Sequence, residues 1–216
     1  MKKLLVIALF LSLSATLASA EILTTANPIG QGKIAVLGGY LQDQNYSNMS
    51  GWTLGTIAGY AGYGIIEGLD AYLQLGSSTV SGGSGTTSGY GASVKYTLLN
   101  ESPAIPVAVA VGAGYKFLNF SNFTGTPNLN GNQAQLGLIV SKVMAPFAPY
   151  CGVAYRKTTA NAADAVTQMD LTVGSAIAWS AQGAVLLEYT VQSITTAVTN
   201  VNYSSGQLAA AVAYKI

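Results

Sequence analysis

The chain has no histidine and a single cysteine, Cys151, among its 216 residues. A Ser–His–acid or Cys–His nucleophilic site therefore cannot be assembled, and a zinc site of His and Cys is excluded likewise. Charged residues make up only 8% of the chain, against about 25% in ordinary soluble domains. Among the charges that fall within patterned stretches are Asp70, Lys95, Lys116, Arg156, Asp170, Glu188 and Lys215. Asp170 and Glu188 are the pair that acid/base chemistry could use, but they fall at different heights on neighbouring segments, which disfavours a glycosidase-like pair. The glycine-rich run SGGSGTTSG opens no helix, so it reads as a flexible loop and not as a phosphate cradle. Cys151 shares parity with Pro149, Val153 and Tyr155 and reads as a small outward-facing residue, not a nucleophile. The expectation is a protein that is not an enzyme and uses no cofactor or metal.

The elements that carry these charges show a period of two. In Val107 to Phe117, VAVAVGAGYKF, one alternate set is Val107, Val109, Val111, Ala113, Tyr115 and Phe117. The other is Ala108, Ala110, Gly112, Gly114 and Lys116. Successive side chains of a strand point to opposite faces. A greasy face backed by Ala and Gly fits a wall with lipid on one side and a tight lumen on the other. Ten such segments can be read, at about 33–43, 52–65, 67–76, 88–99, 106–118, 132–144, 147–158, 167–180, 182–194 and 205–216. Their lengths are near the ~9–11 residues of a tilted membrane-crossing strand. The connections alternate between long and short, with 77–89, 119–131, 157–167 and 193–205 among the long ones. That alternation is expected of a barrel with short periplasmic turns, longer outer loops and both termini on the periplasmic side. The predicted fold is all-β, a transmembrane antiparallel up-and-down β-barrel of ten strands. Eight or twelve are the alternatives, because segments two and three are the hardest to separate.

Parity sends the seven charges to the lumen, since a Lys or Arg on the lipid face near the midplane would cost ~2–4 kcal/mol. Asp70 and Lys95 are symmetric about the middle of loop 77–89, and Arg156 and Asp170 about Ala163. Antiparallel neighbours so placed face each other. The expectation is an Asp70–Lys95 pair low in the lumen and an Arg156–Asp170 pair high in it. Glu188 lies between, with Lys215 as a diagonal candidate, and Lys116 has no obvious neighbour. Buried charges need partners, so these groups read first as ionic plugs that fix register. The functional alternative is a constriction that selects permeants. The remaining lumen positions are small, among them Gly91, Ser93, Gly112, Gly137, Ala154 and Ala211. In a ten-stranded barrel that lining would leave a narrow passage.

Residues 1–20 have a basic start at Lys2 and Lys3, an apolar stretch from Leu4 to Leu17 and the small-residue site Ala18-Ser19-Ala20. This reads as a secretory signal peptide, leaving residues 21–216 as one barrel domain. A retained anchor is the alternative, disfavoured because the apolar run is shorter than the ~20 residues of a spanning helix. Without Lys2 and Lys3 the chain carries seven basic and eight acidic residues. It offers no basic patch to a nucleic acid. A secreted soluble β-sandwich or β-solenoid is the rival class.

Aromatic residues fall into two groups. Tyr40, Trp52, Tyr90, Tyr115, Phe117 and Tyr155 are expected near the outer end, and Tyr63, Tyr96, Trp179 and Tyr214 near the periplasmic end. Two such girdles mark the two membrane interfaces. The signal peptide, the loop alternation and the terminal stretch LAAAVAYKI together resemble the small outer-membrane β-barrel proteins of Gram-negative bacteria. In that family the last strand often ends in an aromatic residue after alternating apolar ones. Here Ile216 takes the terminal place, behind Tyr214, Val212, Ala210 and Leu208. The resemblance implies residence in the outer membrane, contact with its lipid and insertion by the barrel-assembly machinery. The phospholipases, lipid A acyl-modifying enzymes and omptin proteases of that membrane use histidine, so likeness to them stops at the barrel. The expected function is a narrow passive channel for small polar solutes or ions. The alternative is a non-conducting barrel that displays surface loops for adhesion, binding or envelope stability.

Overall fold

The computed structural model describes residues 25–44, 53–81, 85–121, 128–160, 163–196 and 202–216. The signal peptide read at 1–20 and the belt residue Trp52 lie outside them. Ten strands form one closed antiparallel barrel: β1 (Ile34–Gln44), β2 (Thr53–Ile66), β3 (Leu69–Ser81), β4 (Thr86–Leu99), β5 (Ala108–Ser121), β6 (Leu129–Ser141), β7 (Phe147–Ala160), β8 (Ala163–Ala178), β9 (Gly183–Thr196) and β10 (Asn202–Lys215). Each strand pairs with its neighbour in sequence, and β1 pairs with β10 to close the ring. Closure satisfies every strand's backbone groups within the wall, which an apolar solvent requires. Segments two and three are separate strands. They turn at Glu67-Gly68, where Gly68 has a positive φ of 79° that suits glycine, beside a bulge at Gly64/Ile66.

The alternation read from the sequence is the alternation of the wall. Val109, Val111, Ala113, Tyr115 and Phe117 face out from β5, while Ala108, Ala110, Gly112, Gly114 and Lys116 face in. Ile57, Leu73 and Leu75 are 69, 68 and 69% exposed, whereas Asp70, Gln133 and Gln192 are fully buried. This distribution is inside-out relative to a protein in water, and it makes the wall a membrane-spanning one. Cys151 is exposed on the outer face, as its parity requires.

The strands run further than their hydrophobic pattern. Wall hydrogen bonding continues through Ser81 and from Thr86, and through Ala160 and from Ala163, inside segments expected to be long loops. At the opposite end, the connection from 100 to 107 falls where the gap between segments 88–99 and 106–118 is expected, with β5 starting two residues later. Polar Ser, Thr and Asn end the apolar alternation before they end the ladder, because backbone pairing does not depend on lipid contact.

The outer aromatics form contacts of their own. Tyr90 stands directly across from Phe117, with ring centroids 5.4 Å apart, and Phe117 meets Tyr115 edge-on. Tyr40 was expected near the outer end but lies nearer the middle of β1. It still reaches toward that end, because its hydroxyl lies 2.7 Å from where a Cβ on Gly55 would stand. Tyr189 does the same over Gly206, at 2.6 Å. Both rings lean across a glycine toward the rim, as amphipathic side chains do in a bilayer.

Candidate functional site

The lumen is built in layers, and its lowest layer is made by the chain preceding β1. Residues 25–33 fold into the barrel at the end where β1 starts and β10 finishes. Ala26 is fully buried and packs with Ala108, Ala110, Ile139, Tyr150 and Ala154. Its backbone N–H donates to Ser141 Oγ at 3.0 Å, and its carbonyl accepts from Thr97 Oγ1 at 2.9 Å. The Lys95 ammonium donates to the carbonyls of Thr25 and Asn27 at 3.0 and 2.9 Å. The Ile29 N–H donates to both oxygens of Asp70, each at 3.1 Å. Bonds of this kind that involve charged groups are worth about 1.5–3 kcal/mol each.

The strap then turns into β1 through Gly30 and Gly32, whose φ angles of 97° and 72° favour glycine. Gln31 forms a parallel bridge with Gly64, and the Gly32 N–H donates to the Gly64 carbonyl at 2.8 Å. A Cβ on Gly62 would stand 2.6 Å from Ile29 Cδ1, and one on Gly64 would strike the Gly30 carbonyl. These two wall glycines thus form the groove that admits the strap.

Asp70 and Lys95 are register partners across β3 and β4, with Nζ 3.4 Å from Oδ2. Tyr72 adds its hydroxyl to Asp70 at 3.3 Å and its ring to Lys95 at 5.7 Å. Besides facing each other, the two charges divide the strap between them. The carboxylate takes an N–H and the ammonium takes carbonyls.

Above this layer lies a small chamber of about 50 Å³, lined by Tyr60, Tyr72, Ser93, Lys95, Gly112, Gln135, Gly137 and Arg156 among others. Next comes a polar layer. Arg156 Nη2 lies 2.7 Å from Asp170 Oδ2, while Gln168 donates to Asp170 Oδ1 at 2.6 Å. The register differs from the symmetric expectation: Asp170 stands across from Ala154, and Arg156 across from Gln168. The ion pair is a diagonal one. Lys116 lies between Gly91 and Gln133 in the ladder and is buried, its stem running over Gly91. It is not without a partner, contrary to the expectation that it has no neighbour. Glu188 accepts from Tyr150 Oη at 3.1 Å and from Thr190 Oγ1 at 3.2 Å. It stands across from Ala209, six residues along β10 from half-buried Lys215, so the diagonal Glu188–Lys215 pairing is not formed. Lys215 instead stands by the strap, near Gly30.

The far end of the lumen holds larger groups than the small lining expected from the sequence. Gln207 donates to Asp43 at 2.6 Å, Ser205 to Gln192 at 2.8 Å and Gln133 to Thr158 at 2.8 Å. Leu41, Leu54, Leu118, Phe120, Val166 and Ile194 are all buried there. Across β2, β1, β10 and β9, Leu41, Ala58, Leu186, Ala209 and Ala211 pack into an apolar cluster. The arrangement offers buried ion pairs and hydrogen bonds, with no group of three or more metal-ligating side chains among the described residues.

No protein-family model matches the chain, and no curated protein matches it. Solved structures do. The β domain of the Bordetella autotransporter BrkA aligns over 87% of this chain and 100% of its own, at 13% identity and a TM-score of 0.54. The translocator domain of the autotransporter NalP from Neisseria meningitidis covers 86% of this chain and 88% of its own, at 12% identity and a TM-score of 0.47. Neisserial surface protein A covers 86% and 98%, at 16% identity and a TM-score of 0.46. The likeness to the BrkA β domain shows a shared fold: this chain is a closed β-barrel of the outer-membrane type.

Proposed function

We propose that the protein is an integral outer-membrane barrel whose lumen is closed at rest and whose work is done at its ends, as an anchor that displays its outer connections. The observation that carries this reading is the filled lumen. The strap, the two ion pairs and the buried leucines and glutamines occupy successive levels, and the chamber between them holds about 50 Å³, room for a few waters only. Outer-membrane lipid and the barrel-assembly machinery are the partners this reading implies. The inside-out wall and the fold of the solved neighbours support the location.

The second reading, a narrow channel for small polar solutes or ions, is favoured by the glycine lining of the chamber at Gly112 and Gly137. Planar-bilayer recording of the full chain separates the two. The closed-lumen reading expects a silent bilayer, and discrete conductance steps would replace it with the channel. Recovery from the outer-membrane fraction only with detergent, with a heat-dependent shift in gel mobility, is the expected test of location. Release into a soluble periplasmic fraction would overturn it.

A further inference from the structure

We propose that residues 25–29 are a releasable strap hinged at Gly30 and Gly32: they leave the periplasmic mouth as a unit and thereby open the chamber above them to that side. The proposal rests on the closed-lumen reading.

The contacts with Asp70, Lys95, Thr97 and Ser141 run to five main-chain atoms of the strap: the carbonyls of Thr25, Ala26 and Asn27 and the N–H groups of Ala26 and Ile29. Water can replace every one of these partners. The strap buries only two apolar side chains, Ala26 and Ile29. Its link to β1 runs through Gly30 and Gly32, two residues with wide conformational freedom. The wall itself does not depend on it, because the ladder closes from β1 to β10 without the strap. A removable seat, a flexible link and a void directly above are the parts of a gate.

The test uses the full chain with Cys151→Ser and Ser93→Cys, which places one thiol in the chamber. A small, charged, membrane-impermeant methanethiosulfonate is applied to the protein in lipid vesicles, and the labelling rate is read. Lys95→Met removes two strap bonds, and Gly64→Ala drives a Cβ against the Gly30 carbonyl at the hinge. Each is expected to speed labelling more than tenfold. Thr158→Val, which loses one buried bond at the far end of the lumen away from the strap, is expected to leave the rate unchanged. Heat-dependent gel mobility selects folded barrels, so Lys95→Met carries the test if Gly64→Ala does not fold. Labelling of the loosened variants at the parent rate overturns the strap, and so does equal acceleration by Thr158→Val. A parent protein that conducts in bilayers overturns the closed-lumen reading instead, a separate result.

Discussion

Arg156 and Asp170 form a buried ion pair although neither stands across from the other. The two-residue offset places Gln168 beside the guanidinium and in contact with the same carboxylate. Both charged side chains are shut off from solvent, so the pair is worth more as a unit than its parts suggest. Arg156→Met strands Asp170 and is expected to cost about 3–5 kcal/mol, whereas the double variant with Asp170→Leu recovers most of that loss. Urea unfolding from lipid vesicles measures both. Equal losses in the single and double variants would contradict the pairing.

The closing seam between β1 and β10 has its own polar lock, Gln207 to Asp43. Gln207→Leu removes a bond to a fully buried carboxylate, a loss of about 1.5–3 kcal/mol for a charged partner. Ser205→Ala removes a bond between neutral groups and is expected to cost only about 1 kcal/mol. The ranking can be read from the same unfolding curves, and a reversed order would mean that the seam does not depend on Asp43.

Depth on the outer wall governs the cost of charge. Leu136→Arg, at an exposed position in the middle of β6, is expected to lose about 2–4 kcal/mol of folding stability in vesicles. Asn119→Arg, near the far end of β5, is expected to lose about 0–1 kcal/mol. Similar costs at both sites would argue against a bilayer around this wall.

Cys151 faces outward from β7 between the two interfaces. In vesicles it is expected to resist a charged thiol reagent and to react with an apolar maleimide. Rapid reaction with the charged reagent would put that face in water.

The wall was legible from the sequence because alternation survives small errors of register. The Arg156–Asp170 expectation slipped by two residues, because the β7–β8 pairing is centred one residue before Ala163 and sets Arg156 across from Gln168. A slip of two keeps every side chain on its own face, so the lumen assignment was unaffected. Asp70 and Lys95 lay at the right distance from their hairpin's centre. The strap was not legible. Residues 25–33 have no period, and what holds them is main chain, which leaves no mark on residue type. Gly30, Gly32 and Pro28 signal a turn there, but nothing in them says that the turn leads into the lumen. The packed far end was missed for a related reason. Leu41, Leu54, Phe120 and Ile194 share the lumen parity, yet apolar residues there look like lipid-facing ones until the face is known.

The seam has a further consequence. Ile34 and Ile216 exchange both backbone bonds, at 3.2 and 2.8 Å, so the first and last strands meet like any adjacent pair. A circularly permuted chain, joined there and cut at another hairpin, would trace the same wall. In that permutant the strap would become an interior linker tethered on both sides. The ring of strands is indifferent to where the polypeptide is read from, whereas the strap marks the mouth at which β1 starts.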